Sequence, residues 1–417
     1  MKKVMITGIG MLCANGNGKQ AVWDSIKAGT PAITKITRFD ASRCSCQVAG
    51  EVKDFETYAI EGGLLDKKAA RHMARFSQFA VAAAVEAWRD AGYTEENKPD
   101  MDRVGTLIGN GIGGLDVTGE SYKILFDRGP ERLSPLAIPE LISNEAAGNV
   151  SLAIGAKGPA QVITTACASS TDALGYAMDM IRAGRADVVI AGGTEATILE
   201  FCVGGFMKMR ALATKFNDEP GKSSRPFNSD RDGFVMGEGA AMLILESEEH
   251  AAARGAKVYC ELAGYGATSD AYHITAPDPS GDGAVKAIEI ALKDAAVEDR
   301  TTVDYINAHG TSTALNDAME TAAFKRVFGD EAKAINISST KSMHAHLLGA
   351  AGALEAAITA LAIKEGFVPP TINYENPDPE LDLNYTPNVG VKRDIRVALS
   401  SSLGFGGHNA ILVFKKV

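Results

Sequence analysis

Two stretches of this 417-residue chain repeat one design, in which an apolar strand leads through a turn into a helix. The first stretch combines a predicted strand at 161–165, a turn at Cys167, a helix at 168–183 capped by Gly184, and a strand at 188–191. The second combines a strand at 334–337, a turn at 338–346, and a helix at 347–364 capped by Gly366. A closing glycine supports both helices, and apolar residues follow helical spacing in the first. The second has a face of small residues that should permit close helix packing, formed by Gly349, Gly352, Ala353, Ala356 and Ala360. This duplication predicts an α/β protein whose sheets are covered by helices.

The two halves also begin alike, with an apolar strand that runs into glycines. The segments are Val4-Met5-Ile6-Thr7-Gly8-Ile9-Gly10 and Tyr259-Cys260-Glu261-Leu262-Ala263-Gly264-Tyr265-Gly266, and the polar stretch 246–257 separates the halves. We therefore predict one half over residues 1–255 and another over 256–417. The long insertions at 40–68 and 217–232 are expected to form loops or caps.

Composition excludes several classes of protein. Apolar residues make up 46% and charged residues 23% of the chain, as in ordinary globular proteins, and the net charge of −10 argues against nucleic acid as a partner. The six cysteines have no framework spacing, so we expect reduced thiols, a cytoplasmic protein and no metal at Cys44-Ser45-Cys46. The apolar helix at 347–363 is short for a membrane span and carries Glu355, which favours a buried core helix.

Cys167 lies at a predicted strand-to-helix turn, at the positive end of a helix. Free backbone N–H groups and the helix dipole favour a thiolate there, so we expect this thiol to ionise easily. A thiolate is a nucleophile, and this position predicts covalent catalysis. A buried structural cysteine is the alternative that this residue alone leaves open.

Two histidines occupy corresponding places in the second half. His309 follows the predicted strand 305–308, and His346 closes the turn after the strand 334–337. Ligands of open α/β sheets bind at the carboxyl ends of strands, so Cys167, His309 and His346 together predict one site. Residues 109–114 match the GxGxxG pattern of dinucleotide sites, but the match is weak in a glycine-rich chain without a clear following helix.

Four sequence blocks resemble those of a known family. They are Thr165-Ala166-Cys167-Ala168-Ser169-Ser170, Asn307-Ala308-His309-Gly310-Thr311-Ser312-Thr313, the segment from Lys341-Ser342-Met343 to His346-Leu347-Leu348-Gly349-Ala350-Ala351-Gly352, and Gly404-Phe405-Gly406-Gly407-His408-Asn409. In this order they resemble the signature blocks of the β-ketoacyl-acyl-carrier-protein synthases, and the resemblance extends over residues 3–414. It implies a thiolase-type fold, with duplicated βαβαβαββ halves in a five-layered α-β-α-β-α sandwich, and a homodimer.

The resemblance also implies a reaction, the decarboxylating condensation of an acyl chain with malonyl-acyl carrier protein during fatty acid elongation. Cys167 would hold the acyl chain, and the N–H groups of Cys167 and Phe405 would form the oxyanion hole. His309 and His346 would stabilise the enolate as neutral imidazoles. Lys341 matches the family's active-site lysine, and Glu320 matches the acid that holds that lysine. The substrates bring their own phosphopantetheine, so no separate cofactor is expected.

Further positions match substrate and carrier contacts of the family. Ile112 resembles the acyl-pocket residue of synthase II members, and Phe206 would line the same pocket. Phe405 matches a mobile gate between acyl chain and donor, and its flanking glycines supply backbone freedom. Thr311 and Thr313 match hydroxyls that hold the pantetheine arm. A basic patch would dock the acidic carrier protein, and its candidate residues are Lys68, Arg71, Lys208 and Arg210. The first two share one predicted helical segment with Lys67 and Arg75.

Two short segments depart from the family pattern. His344-Ala345 stands where members often have Thr-Gly, and Ala314-Leu315-Asn316 stands where they often have Pro-Ala-Gly. The alternative functions are an iterative ketosynthase of a polyketide or polyene pathway, a non-catalytic subunit that sets chain length, and a thiolase. The presence of Cys167 argues against the second, and the absence of a suitable cysteine in the C-terminal half argues against the third.

Overall fold

The computed structural model describes residues 2–417. Its helices are α1 Lys19–Lys27, α2 Lys67–Ala70, α3 Arg75–Asp90, α4 Leu115–Arg128, α5 Ala137–Leu141, α6 Glu145–Ile154, α7 Ser169–Arg182, α8 Glu200–Lys208, α9 Glu248–Ala253, α10 Asp282–Asp294, α11 Ala314–Phe328, α12 Lys341–His344 and α13 Ala351–Glu365. Its strands are β1 Val4–Cys13, β2 Gly16–Asn17, β3 Thr34–Lys35, β4 Val48–Ala49, β5 Val104–Gly109, β6 Ala160–Ile163, β7 Val188–Glu195, β8 Gly239–Ser247, β9 Cys260–Ser269, β10 Val303–Asn307, β11 Asn336–Ser338, β12 Phe367–Val368, β13 Val391–Lys392, β14 Val397–Gly404 and β15 His408–Lys415.

The strand order repeats between the two halves. The N-terminal half has the order β6-β5-β7-β8-β1, and the C-terminal half has the order β11-β10-β14-β15-β9. In each half the first three strands are parallel and the last two run antiparallel to their neighbours. Strands β1 and β9 pair with each other, with Val4 opposite Leu262, and join the two sheets. The predicted duplication is confirmed by this topology, and the boundary near residue 255 stays a prediction.

Helices cover both sides of each sheet and fill the space between the sheets. Helices α7 and α13 touch each other and contact strands of both halves. Helix α3 packs on the outer side of the N-terminal sheet with α6 beside it, and α10 packs on the outer side of the C-terminal sheet with α11 beside it. The result is the predicted five-layered α-β-α-β-α sandwich.

Helix α13 is apolar on all sides because it lies between two sheets. Its residues from Ala351 to Ile363 are all buried, including Glu355. The small residues predicted to allow close packing do so, since a Cβ added at Gly352 would lie 1.9 Å from Thr171 Oγ1 on α7. Gly366 ends the helix in the left-handed conformation, with φ 62°. Within residues 2–417, no helix has the length and apolar character needed to cross a membrane.

Three local predictions need correction. The strand predicted at 161–165 ends at Ile163, because residues 164–165 already bend toward the Cys167 turn. The turn predicted at 338–346 contains the short helix α12. The glycine-rich segment 109–114 does lead into a helix, α4. Its glycines serve packing, because a Cβ added at Gly109 would lie 2.3 Å from the backbone nitrogen of Ser170.

Candidate active site

Cys167 lies in a single 3₁₀ turn, Ala166–Ala168, between β6 and α7. Ala166 before it has a φ of 51°, a left-handed conformation that a residue with a side chain rarely adopts. Ser169 holds the turn in place, because its hydroxyl donates to the Ala166 carbonyl (2.7 Å) and accepts from the Thr165 N–H (2.9 Å). Strained backbone fixed by its surroundings is common at active sites.

A cavity of about 460 Å³ lies beside this turn, and most of the predicted site residues line it. The predicted residues in its wall are Ile112, Cys167, Phe206, Arg210, His309, Thr311, Thr313, His346 and Phe405. They come from both halves of the chain, which shows that the strand ends of the duplicated sheets do meet. The predicted residues outside its wall are Lys68, Arg71, Lys208, Glu320 and Lys341.

The expectation of an easily ionised thiol needs correction. Burial raises the pKa of the Cys167 thiol to about 11, although the Lys341 ammonium and the N–H groups of Phe405 and Cys167 act in the opposite direction. The desolvation of the thiolate therefore raises the thiol pKa by more than the neighbouring ammonium and N–H groups lower it. At neutral pH the resting thiol is protonated, and its proton must leave as the sulfur attacks. The N–H groups of Phe405 and Cys167 that act on the sulfur are those of the predicted oxyanion hole, whose role stays a prediction.

His309 and His346 lie close together, with ring centroids 5.3 Å apart and ring planes at 87°. Burial lowers the pKa of both imidazoles well below 6.5, and the Lys341 ammonium adds to the effect. Both rings are therefore neutral at pH 7, as the predicted chemistry requires.

The contacts of these imidazoles also define which nitrogen carries the proton. The Lys341 ammonium approaches His309 Nδ1 at 3.5 Å, and the Leu348 N–H donates to His346 Nδ1 at 3.3 Å. A donor on Nδ1 requires that nitrogen to accept, so the proton of each neutral ring lies on Nε2. Two Nε2–H donors are thus available to an oxyanion in the cavity.

Lys341 is fully buried and forms its ion pair with Glu355, not with Glu320. The predicted partnership of Lys341 and Glu320 is therefore wrong. Glu320 instead accepts the backbone N–H groups of His309 (2.7 Å) and Gly310 (2.8 Å), because α11 brings its carboxylate under that turn. Both carboxyl groups are buried, and burial raises the pKa of each to about 7. Glu320 supports the turn that carries His309, while Glu355 neutralises the lysine.

Phe405 lines the cavity close to Phe206. Its ring centroid lies 6.3 Å from that of Phe206, and both rings line the cavity with Ile112, which is 37% exposed. Gly406 and Gly407 have φ values of 88° and 75°, which only glycine adopts without strain. The two glycines give this backbone the freedom that a gate would need, and the gate itself stays a prediction.

Thr311 and Thr313 line the cavity with their hydroxyl groups 2.9 Å apart. Of the predicted docking residues, Lys208 ends α8 and Arg210 reaches the cavity wall, whereas Lys68 and Arg71 lie on and just after α2. All four are exposed, and none forms an ion pair within the described part of the chain. Arg75, which the sequence grouped with Lys68 and Arg71, belongs to α3 and pairs with the buried Glu238 at 2.8 Å.

Sequence reasoning did not identify Glu195, a buried carboxyl in the cavity wall at the end of β7. It accepts the N–H groups of Gly111 (2.9 Å) and Gly349 (3.2 Å), and burial raises its pKa to about 7. Glu195 thereby links the segment that carries Ile112 to the backbone that follows His346. A glutamate directly after the apolar run 188–194 was the available signal.

Known proteins resemble this chain over its whole length. The 3-oxoacyl-[acyl-carrier-protein] synthase 2 of Staphylococcus aureus (strain COL) is 49% identical over 415 residues, covering 100% of this chain and 98% of that protein. The protein of the same name from Synechocystis sp. is 50% identical with the same coverage.

Solved structures agree. A β-ketoacyl synthase from Burkholderia phymatum STM815 superposes with a TM-score of 0.92 at 34% identity, covering 100% of both chains. A complex of a type II polyketide synthase acyl-carrier protein with its hexaketide-bound ketosynthase superposes with a TM-score of 0.90 at 36% identity, covering 100% of this chain and 99% of that one.

The family models divide the chain as its topology does. The β-ketoacyl synthase N-terminal domain matches residues 1–251, and the β-ketoacyl synthase C-terminal domain matches residues 259–375. The resemblance seen in the four sequence blocks is confirmed, and so is the thiolase-type fold. The chain belongs to the β-ketoacyl synthase family.

Proposed function

We propose that this protein catalyses the decarboxylating condensation of an acyl chain with malonyl-acyl carrier protein, and so elongates fatty acids by two carbons. The observation that carries the proposal is the arrangement of Cys167 beside two neutral imidazoles in one cavity. The full-length identity of 49% to 3-oxoacyl-[acyl-carrier-protein] synthase 2 supports fatty acid elongation as the pathway.

In the first step the Cys167 sulfur attacks the acyl thioester of the carrier. The carbonyl oxygen becomes an oxyanion that the N–H groups of Cys167 and Phe405 stabilise. The thiol proton leaves to the departing pantetheine thiolate, so the carrier is released with a free thiol. The acyl chain then extends along Ile112 and Phe206, which line the same cavity.

In the second step malonyl-carrier protein occupies the other side of the cavity and loses CO₂. The electron pair of the broken carbon–carbon bond forms an enolate, whose oxygen accepts from the Nε2–H groups of His309 and His346. The enolate carbon attacks the acyl thioester, and the Cys167 sulfur leaves as a thiolate that takes one proton from solvent water. The products are 3-oxoacyl-carrier protein, CO₂ and free enzyme.

Lys341 acts on this step through the imidazoles. Its ammonium, paired with Glu355, lies against Nδ1 of His309 and favours the neutral ring with a proton on Nε2. Glu320 holds the turn that carries that ring. Both are positioning residues in this mechanism.

The proposed partner is an acidic acyl carrier protein, and its phosphopantetheine is part of the substrate, so the enzyme needs no further cofactor. The related ketosynthase structure that contains an acyl-carrier protein supports this partner. Because the chain has a net charge of −10, docking needs local basic residues, for which Lys68, Arg71, Lys208 and Arg210 are the candidates. Thr311 and Thr313 would receive the pantetheine arm. A cytoplasmic location fits such a partner.

A homodimer is the proposed assembly. Strand β6 ends the N-terminal sheet, and an open strand edge favours pairing with another chain. Large apolar side chains of the N-terminal half are exposed, with Phe126 at 80%, Leu152 at 81% and Phe201 at 77%. A second copy would remove such surface from water.

The test is reconstitution with acyl- and malonyl-carrier protein. The expected product is the 3-oxoacyl chain extended by two carbons, with one CO₂ released for each. Cys167→Ala should abolish condensation. His309→Ala and His346→Ala should each slow decarboxylation by roughly 10²–10³-fold, the usual loss for one oxyanion donor. Condensation by Cys167→Ala at the wild-type rate would overturn the assignment.

The same assay tests the alternative function of an iterative ketosynthase. The structural similarity to a polyketide ketosynthase favours this alternative. An iterative enzyme would add several two-carbon units without an intervening reduction. The elongation enzyme should stop after one unit until the 3-oxo group has been reduced.

A further inference from the structure

A third histidine, His344, lies beside the two that line the cavity but does not reach it. Its side chain is fully buried, and both ring nitrogens have partners. Nδ1 lies 2.6 Å from the carbonyl oxygen of Ala345, and Nε2 lies 3.0 Å from the hydroxyl of Thr340.

These contacts fix the state of the His344 ring. A carbonyl oxygen only accepts, so Nδ1 must carry the proton, and Nε2 must then accept from the Thr340 hydroxyl if the ring is neutral. Burial and the Lys341 ammonium lower the pKa of His344 to about 3, which keeps the ring neutral at pH 7. The imidazole is therefore a fixed donor toward the backbone one residue before His346.

That backbone is strained. Ala345 has a φ of 68° and a ψ of −174°, a conformation that is essentially restricted to glycine. Such strain persists only where the surroundings impose it. Two glycines pack against the bend, since a Cβ at Gly50 would lie 2.6 Å from the His344 carbonyl oxygen and one at Gly237 would lie 3.1 Å from it.

The bend sets the direction in which His346 leaves α12. After it, the His346 N–H donates to the Val235 carbonyl and the His346 carbonyl accepts the Gly237 N–H, each at 2.8 Å. The first of these bonds holds the N–H of the Ala345–His346 peptide, and the Ala345 N–H donates to the Lys341 carbonyl at 3.0 Å. The carbonyl of the same Ala345–His346 peptide is held by the side chain of His344.

We propose that His344 is a positioning residue, whose Nδ1–H holds the strained Ala345 peptide and thereby aims His346 into the cavity. The consequence for the reaction rests on the function proposed above for His346. Removal of the hydrogen bond should disturb the donor step, in which His346 stabilises the enolate. It should leave the transfer of the acyl chain to Cys167 nearly unchanged.

The test compares His344→Leu, which removes the donor, with His344→Asn, whose side-chain amide can donate from the position of Nδ1. Malonyl decarboxylation and Cys167 acylation are measured separately. His344→Leu should slow decarboxylation about 10- to 100-fold, the scale of a misplaced catalytic group, and should change acylation by less than about twofold. His344→Asn should recover most of the loss.

Three kinetic outcomes overturn the proposal: equal loss in both steps, decarboxylation within about twofold of wild type, or no recovery with asparagine. A crystal structure of His344→Leu beside that of the wild type gives a readout independent of activity. We expect Ala345 to leave its strained conformation and the His346 ring to leave its position 5.3 Å from His309. An unmoved ring overturns the proposal. If the wild type does not decarboxylate malonyl-carrier protein, the proposed function fails, and the crystal structures still decide the role of His344.

Discussion

The ion pair between Lys341 and Glu355 makes a strong prediction, because both side chains are almost completely buried. Their exposed fractions are 1% and 0%, and the pair lies in the layer between the two sheets. Glu355→Gln keeps the size of the side chain but removes its charge. The Lys341 ammonium then stays buried without an anionic partner, unless it gives up its proton.

The magnitude follows from the cost of a buried unpaired charge. Removal of one partner of a buried ion pair typically costs about 3–5 kcal/mol of unfolding free energy. The glutamine carbonyl can still accept one hydrogen bond from the lysine, which places the expected loss near the lower end, about 3 kcal/mol. The His309 ring also loses the fixed ammonium against Nδ1, so decarboxylation should slow as well.

The assay is equilibrium unfolding in urea, together with the malonyl decarboxylation rate. Asp394→Asn is the matched control, because it removes the partner of Lys416 from an exposed ion pair, and such pairs contribute little. A second comparison is the double variant Lys341→Met with Glu355→Leu, which should regain most of the stability but not the decarboxylation rate.

Two results would refute this reasoning. Glu355→Gln could be as stable as Asp394→Asn, which would show that the lysine is not charged in the folded protein. The double variant could be as unstable as the single one, which would show that volume, and not charge, limits this site.

Three further predictions concern the acyl pocket, the carrier surface and the thiol. Ile112→Phe should shorten the longest accepted acyl chain, because added volume in a packed site costs about 1–3 kcal/mol; an unchanged length profile would exclude Ile112 from the pocket. Lys68→Glu with Arg71→Glu should raise KM for carrier-bound substrate and weaken its salt dependence, whereas a pantetheine thioester should react normally; equal loss on both substrates would indicate a role in folding. Alkylation of Cys167 by iodoacetamide should keep accelerating from about pH 7 to about pH 10, because burial raises the pKa to about 11 and the thiolate fraction grows with pH; a plateau below about pH 8 would contradict the burial argument.

The architecture was predictable from the sequence because the chain contains two copies of the same strand–turn–helix unit. Strand, turn and helix recur around Cys167 and His346, and the two copies occupy equivalent places in the sheets. The meeting of Cys167, His309 and His346 in one cavity was predictable for the same reason, since residues at equivalent strand ends come together when the halves pack.

The electrostatics were not predictable from the pattern. Helix position suggested a thiolate at Cys167, but the depth of the site raises its pKa, and depth depends on packing by the whole chain. Glu320 was assigned to Lys341 because it matched a family position. The partner of Lys341 is instead Glu355 on α13, the helix that follows α12. In the sequence, Glu355 is the single acid of the apolar run 347–363.

The basic docking surface was the least predictable part of the site, because the spacing of its residues assumed one continuous helix. Lys68, Arg71 and Arg75 have helical spacing, yet the chain bends between α2 and α3, and Arg75 turns toward Glu238. Spacing describes one continuous helix, whereas the end of a helix depends on tertiary contacts such as this ion pair.

The central claim, that Cys167 carries the growing chain, is tested most directly by mass spectrometry of the protein during turnover. Incubation with acyl-carrier protein alone should give one acyl adduct per chain, and peptide mapping should locate it on Cys167. Addition of malonyl-carrier protein should remove the adduct and yield a 3-oxoacyl-carrier protein two carbons longer. An adduct on another residue, or an extended product formed without any adduct on Cys167, would contradict the account.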